Sequence, residues 1–521
     1  MGFRGISMSF NEKLKLEIKD FRELGHKFIN GEISVGDFKG MSGGMGVYAQ
    51  RGKNGFMMRL RTSSGIISNK HINLINSYVD KYKLEAIHLT TRQAVQLHNL
   101  NIDEVCDIME DAIDNNLYTR GSGGNFPRNV SLSPLSGVEK GESFDPTNHA
   151  LLAGEYLIDN ITSYKLPRKL KIAFSNSSND EGKASVNDLG FIATLKDGKP
   201  YFKVFLAGGL GQNPAVAIKY NKLIEPKDVL YHVEAIIRLF VAEGDYENKA
   251  KARIRYIPRR MGVDEFLNCY ESHLQAVKSE LKLKELDAVV EPYIEKDNRG
   301  DTPYLISQKQ NGLYTVVIHP VNGQLLKDDL KTIVDFVNEY ENAEIRLSME
   351  ENMYIRNLLK SEAEHLLEIT KHMRQNTKFG QSVSCIGVPT CQIGIEKSQA
   401  LLENILNEVR KDNIDESLLP SIHISGCLNS CSRHQISDIG FSGCKKRVGE
   451  KVEEGFNLFV GGFYSEEEAK FGKEIGFIPE SKIPEFIRNL AIDLNNTGYS
   501  FKKYLNEKEN EFNKLAINYT L

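Results

Sequence analysis

The chain has 521 residues, 40% of them hydrophobic and 26% charged, with 66 basic against 70 acidic residues and a net charge of −4. That is ordinary globular composition with length for about three domains. The near-neutral balance excludes a global pull toward nucleic acid and leaves room for a local basic pocket. No run of 18 apolar residues and no signal-peptide core occurs, so a cytoplasmic protein is expected, in which clustered cysteines serve metal or redox chemistry and not disulfides.

In chain order, residues 1–45 read as an N-terminal arm. Residues 46–115 contain NGFMMRLRTSSGIISNKHINLINSYVDKYKLEAIHLTTRQAVQLHNL. This pattern predicts an alternating strand, a Gly turn, an amphipathic helix and two short strands. Cys106 in NIDEVCDIMED and Cys269 in EFLNCYESHL fall on apolar helix faces and read as small buried hydrophobes. A larger mixed segment spans 116–295. The first pattern then returns over 300–365, with Ile75 and Ile333, Val79 and Val337, Tyr82 and Tyr340, Ile87 and Ile345, and Leu100 and Leu358 each 258 positions apart.

Residues 366–500 repeat the larger segment. SVNDLGFIA around Asp188 matches QISDIGFSG around Asp438 at an offset of 250, and KVFLAGGLG matches NLFVGGFYS at 253. Residues 501–521 form a tail. The expected fold is therefore α+β, internally duplicated and pseudo-twofold, with two small half-domains and two larger mixed α/β ones. The copies differ informatively. Arg59 and Arg61 become Val316 and Ile318, Arg92 becomes Glu350, and Cys427 and Cys431 fall on Ser177 and Glu181. A site assembled between unlike halves is expected.

Five of the seven cysteines lie between 385 and 444. A disulfide, a zinc site, an iron–sulfur cluster or plain buried thiols are all compatible with Cys427 and Cys431 alone. The pairs SCIGVPTC (Cys385, Cys391) and CLNSC (Cys427, Cys431) favour a cubane cluster over zinc, because a C-x5-C is a poor zinc knuckle. Cys444 reads as a structural thiol. In LPRKLKI, Lys169 and Lys171 are two apart on a predicted strand and share a side, with Arg168 opposite. In HLTTRQAVQLH, the same alternation places Thr90, Arg92, Ala94, Gln96 and His98 on one face. No GxGxxG links a strand to a helix, so electrons are expected from a separate protein and not from a bound dinucleotide.

The run SCIGVPTC … SGCLNSCSRHQISDIG resembles the signature of the sirohaem- and 4Fe–4S-dependent nitrite and sulfite reductases. GVYAQR, FMMRLRTSSG, HLTTRQAVQLH, PRNVSLSPLSG, LPRKLKIAFS and LFVGG carry that resemblance in order over nearly the whole chain. It implies two ferredoxin-like half-domains and an arm that wraps the other half. It implies a 4Fe–4S cluster on Cys385, Cys391, Cys427 and Cys431, with Cys431 also the axial ligand of sirohaem. Thr90, Thr91, Arg92, Gln96, His98, Arg168, Gly208, Gly209, Arg253, Arg255 and Asn429 are implied cofactor contacts. The glycine pairs Gly208–Gly209 and Gly461–Gly462 would let backbone approach the macrocycle.

Arg59, Arg128, Lys169 and Lys171 are the implied substrate cations. Fixed guanidinium and ammonium groups suit both a small oxyanion and a polycarboxylate macrocycle. The resemblance implies ferredoxin as the donor, with Lys445, Lys446 and Arg447 as a docking patch. The Lys-x-Lys pair favours six-electron reduction of sulfite to sulfide, with nitrite to ammonia as the alternative on the same site. A non-catalytic electron carrier and a zinc-stabilised scaffold are the rivals from other classes, and the cation set and the C-x5-C spacing argue against them.

Overall fold

In the computed structural model, which describes residues 9–53, 55–292, 294, 300–411 and 414–521, the duplication is built as four five-stranded sheets. The first small sheet runs Val47–Ala49, Phe56–Arg61, Ala94–Leu100, Ala86–Leu89, and then Gln324–Leu326, which comes from the second repeat. The second runs Leu305–Ser307, Leu313–Ile318, Met353–Leu359, Glu344–Leu347, and then Ile66–Ile67 from the first. The exchange is reciprocal. Leu325 pairs with Ile87, and Ile67 pairs with Ile345.

Alternation explains the strands: Phe56, Met58 and Leu60 are buried while Met57 and Arg59 are half-buried on the other side. Each borrowed strand leads directly into a helix, Asn69–Lys81 or Lys327–Glu339. Ser68 caps the first by accepting from His71 N. The apolar faces, Ile72, Ile75 and Val79 on one and Leu330, Ile333 and Val337 on the other, lie in one hydrophobic core common to both repeats.

The two larger sheets are also equivalent. One runs Ser131–Leu132, Ile172–Ser175, Leu189–Lys196, Lys199–Leu206, Ile218–Ile224; the other runs Val383–Ser384, Ile422–Ser425, Ile439–Val448, Lys451–Val460, Lys473–Pro479. In each, the first three strands are parallel and the last two antiparallel. Each has its own core.

The described part of the arm has two helices, Phe10–Ile29 and Val35–Met45; the first lies on helix Ile102–Asp114 of the first repeat, and the second carries Lys39, near enough to act on Cys391 in the other half. Leu14, Ile18, Phe21 and Phe28 form a stripe that shares a core with Ile102, Val105 and Met109. Arg22 reaches Asp103 at 2.9 Å and Asp107 at 2.8 Å along its edge. The tail is equally structured. Helices Phe501–Glu507 and Glu509–Ile517 bury Phe501, Tyr504, Phe512 and Ala516 in the second outer core. Cys106 is fully buried and Cys269 is partly buried against the first outer core, as their helical positions predict. Among the described residues, no helix is long and apolar enough to cross a membrane.

Candidate active site

Cys427 and Cys431, two of the four expected sulfur ligands, sit in one of two matching turns. Strands Ile172–Ser175 and Ile422–Ser425 each enter a turn that ends in a short 3-10 helix, Ala184–Val186 or His434–Ile436. Asp180 and Ser430 both take positive φ (56° and 54°), as do Lys183 and Arg433 (59° and 63°), so the backbones follow the same path 250 positions apart. The internal bonding differs. Asp180 closes the first turn, accepting from Ser175 Oγ and Ala184 N at 2.7 Å each. In the second turn the Ser425 and Ser432 hydroxyls meet at 2.6 Å.

Around the cysteines, donors point at sulfur. Gly426 N donates to Cys385 Sγ at 3.1 Å, Ser398 Oγ lies 3.4 Å from the same sulfur, and Asn429 Nδ2 donates to Cys427 Sγ at 3.4 Å. The Cys385–Glu396 loop is tied to the second turn by Ile395 N and Glu396 N, which both donate to Gly426 O. Burial raises the thiols of Cys385, Cys391 and Cys427, and Cys431 acts on all three. The four sulfurs thus share one region. Among the described residues no group of three or more His, Cys, Asp or Glu side chains is placed to hold a single metal ion. Cys444 stands apart on strand Ile439–Val448 and donates to Asn457 Oδ1 at 3.3 Å.

Beside Cys431 lies a dense group of cations. Leu170 is buried, and its neighbours Lys169 and Lys171 are partly exposed. Their amino groups make no hydrogen bond or ion pair with any described residue. Burial, with Arg253 and Arg128 nearby, pushes Lys169 down to about 7. Burial, Lys169, Arg92 and Arg253 push Lys171 well below the usual lysine range. Burial lowers Arg168 too, followed by Arg253; Arg168 sits in the bend before the strand and joins the same group instead of facing away. Arg128 is lowered to about 9 by burial and by Arg59, Arg61 and Arg253. Asp188 is the carboxylate that acts on Lys171, and it accepts from Arg253 Nη2 at 2.9 Å and from Lys171 N at 2.8 Å.

Several guanidiniums are already fastened to protein. Arg128 donates to the carbonyls of Gly121, Gly123, Gly124 and Phe126. Arg92 donates to Asn129 O, Asn187 Oδ1 and Ile172 O. Arg59 Nη1 donates to Ser122 O at 2.9 Å, and Gln96, in the amide orientation that satisfies its neighbours, accepts from Arg59 Nε at 3.0 Å. Arg255 donates to Gln212 O and Asn213 O and leaves Nη1 buried without a partner, as Arg253 leaves Nε.

Two expectations need correction. Residues 90–93 form a turn in which Thr90 Oγ1 accepts from Ala94 N and Gln93 has φ +54°, so strand alternation holds only for Ala94, Gln96 and His98. Thr91 instead turns to the sulfur side, its Oγ1 donating to Cys431 O at 2.7 Å. Gly208 and Gly462 clear protein backbone: a Cβ on either would come within 2.7 Å of a carbonyl, of Asn187 or Ser437. Only Gly209 faces the cations, with Arg253 Nη2 2.8 Å from its would-be Cβ. Sequence reasoning missed Lys183 and Arg433, although both stand two residues after matched positions of the twin turns. Two surface clefts of about 340 and 290 Å³, beside Tyr156 and Glu234 and beside Glu142 and His149, do not include any of these cations.

The donor set suits a polyanionic macrocycle. Buried cations with unpartnered N–H groups are costly unless an anion meets them, and sirohaem carries eight carboxylates. Residues 123–278 and 377–502 match the nitrite and sulphite reductase 4Fe-4S domain, and residues 48–114 and 306–373 match the nitrite/sulfite reductase ferredoxin-like half domain. The chain belongs to the nitrite and sulfite reductase family.

Similar proteins include the ferredoxin–nitrite reductase of Synechococcus elongatus, 28% identical with 84% of this chain and 86% of that protein aligned. That of Leptolyngbya laminosa is 27% identical over 92% and 94%. Mycobacterium tuberculosis NirA shares the fold, with a TM-score of 0.80 at 23% identity and 97% of both chains covered. As a family member the protein is an oxidoreductase that uses sirohaem and a 4Fe–4S cluster to reduce a small oxyanion.

Proposed function

We propose that the protein is a cytoplasmic, ferredoxin-dependent nitrite reductase that converts nitrite to ammonium with six electrons and eight protons, releasing two waters. One observation carries nitrite over sulfite: the relatives aligned along 84% and 92% of this chain are named ferredoxin–nitrite reductases. The expected sulfite preference rested on a second ammonium to balance a more charged anion. Lys171 supports that poorly, because burial beside Lys169, Arg92 and Arg253 disfavours its charged form in the protein alone.

In this reading Cys385, Cys391, Cys427 and Cys431 would hold the cluster, and Cys431 would be shared with sirohaem. The two groups, when bound, would supply the electrons for reduction of the substrate nitrogen. Arg253 Nε, Arg255 Nη1 and Arg168 line the carboxylate side, and Gly209, whose N–H donates to Ala215 O, contributes only the space a side chain would fill. Arg59, Arg128, Lys169 and Lys171 hold the anion. Lys169, pushed down to about 7, is suited to give up a proton near neutrality and to be recharged from solvent.

Ferredoxin would dock over the Cys391 loop. Ile393 and Ile395 are exposed there, Lys39 is near enough to act on Cys391, and Arg51 Nη2 donates to Gly394 O at 2.8 Å. The run 445–447 is a poorer patch by itself, because Lys445 pairs with Glu454, Lys446 reaches Leu521 O, and Arg447 turns to Gly449 O.

The test is steady-state turnover of the purified holoenzyme on nitrite and on sulfite, with reduced ferredoxin and with reduced viologen. We expect kcat/KM for nitrite to exceed that for sulfite by at least about tenfold, a gap of about 1.4 kcal/mol, with ammonium as product. Equal or reversed values would overturn the nitrite assignment.

A further inference from the structure

The copies differ at one half-buried position whose purpose the cation pocket does not explain: where the first repeat has Arg92, the second has Glu350. Arg92 stays within its own side of the molecule, bonded to Asn129, Ile172 and Asn187. Glu350 instead stands between the twin turns. Its Oε2 accepts from Arg433 Nη2 at 2.8 Å, and its Oε1 lies 3.3 Å from Lys183 Nζ. Lys183 and Arg433 are the matched residues, 250 positions apart, that end the sulfur-free turn and the cluster turn. Both are nearly excluded from water, with side-chain exposures of 2% and 8%. A single carboxylate therefore clamps both halves.

The clamp reaches the Cys431 backbone by two paths, through Thr91 and through His423. Arg433 Nη1 donates to Thr91 O at 3.0 Å, and Thr91 Oγ1 donates to Cys431 O at 2.7 Å. Arg433 Nη2 also reaches Met349 O, the carbonyl equivalent to Thr91 O at the 258 offset, so the guanidinium bridges matched carbonyls of the two repeats. His423 Nδ1 donates to Ser432 O at 2.6 Å while its Nε2 lies 3.4 Å from Glu350 Oε2. Lys183 is further fixed by Glu181 at 3.3 Å and by the Tyr464 ring, 3.9 Å from its ammonium. Glu181 occupies the place that Cys431 has in the other turn. Without Glu350, Lys183 would keep Glu181, but Arg433 would be left as a buried charge beside Lys183 without its carboxylate, which is destabilising.

We propose that Glu350 is a positioning residue: by neutralising Arg433 and Lys183 together it holds the cluster turn against Thr91 and fixes where Cys431 sits between cluster and sirohaem. Glu350 touches neither substrate nor cofactor in this scheme and acts through Arg433 and Thr91. The inference rests on Cys431 being the shared ligand, so the experiment separates the two.

Holoenzyme carrying Glu350→Gln, Glu350→Asp, Thr91→Val, Glu350→Gln with Lys183→Met, or Cys431→Ser is compared with wild type. The readouts are iron and sulfide content, the sirohaem absorption bands, the electron paramagnetic resonance signature of cluster–sirohaem coupling, Tm and turnover. Thr91→Val removes the contact to Cys431 without stranding a charge, so it decides the matter if Glu350→Gln fails to fold. We expect Glu350→Gln and Thr91→Val to keep near-normal iron content but to alter the coupling signature. Their kcat should fall by up to about 100-fold, the scale of a 1 Å misplacement, with KM for nitrite within about twofold. Glu350→Asp should retain most coupling, and Lys183→Met should recover part of the Tm lost in Glu350→Gln. Wild-type coupling and turnover in Thr91→Val and in every folded Glu350 variant overturn the proposal, provided Cys431→Ser loses coupling. If Cys431→Ser keeps its coupling, the ligand assignment itself is wrong and the proposal falls with it.

Discussion

Lys169 shows how far a single residue can be read from its neighbours. Its side was legible in LPRKLKI, because two positions along a strand always share a face. Its protonation was not, because Arg128 and Arg253 arrive from other parts of the chain. Burial and those two cations hold its folded pKa at about 7, below the free-chain range. A depressed lysine contributes stability that is complete above the unfolded pKa and is lost as pH falls through the folded one. Protein freed of sirohaem should therefore melt a few degrees higher at pH 9 than at pH 6.5, and Lys169→Met should flatten that dependence in thermal scans. An unchanged slope in the variant would remove Lys169 as its source. Lys183 and Arg433 were equally present in DEGK and CSR, each two residues after aligned positions. Their roles were hidden because the shared partner, Glu350, lies in a different repeat.

At the scale of the element, the turn after strand Ala86–Leu89 was the main misreading. TTRQ alternates like a strand, and nothing local announces that Gln93 adopts φ +54°. What holds the turn is distant: Gln93 Nε2 donates to Leu132 O and Leu347 O, and its Oε1 accepts from Leu132 N. The second repeat builds the same turn with Glu351, at φ +59°, which accepts from the backbone of Ser384. Beside each lies a glycine at positive φ, Gly65 or Gly323, whose Cβ would come within 3.1 Å of the turn residue.

A carboxyl that replaces an amide in this buried place is disfavoured as an anion, and burial raises Glu351 well above the usual carboxylate range. Its folded pKa exceeds its unfolded one, so the stability of the protonated form is present in acid and lost as pH rises. Glu351→Gln should stabilise the protein at pH 7 to 8 by about 1–3 kcal/mol, and the gain should vanish near pH 4. Denaturant titrations at both pH values test this. A destabilised variant at neutral pH would mean that Glu351 is ionised and bonded in a way the turn does not show.

For the molecule as a whole, the duplication was legible because four blocks keep their order and spacing, and a helix or a long strand carries enough pattern to be matched at 250 or 258 residues. The reciprocal exchange of Ile66–Ile67 and Gln324–Leu326 was not, since two or three residues hold too little periodicity to name a partner. Its consequence is a core common to both repeats, so the halves are not independent folding units. A chain cut within residues 295–299 should yield two fragments that unfold without cooperativity or aggregate when expressed singly, and that assemble when expressed together. A native-like cooperative melt of either fragment alone would contradict this.

The exchanged strands also impose an order on biosynthesis. A ribosome delivers the N-terminal repeat first, yet the sheet of that repeat lacks its edge until residues 324–326 emerge, and the last sulfur ligand appears a hundred residues later still. The cations are made early and the cysteines late. If Cys431 is the shared ligand as proposed, the cations wait through that interval for their sulfur side, and cofactor insertion would follow synthesis of residue 431.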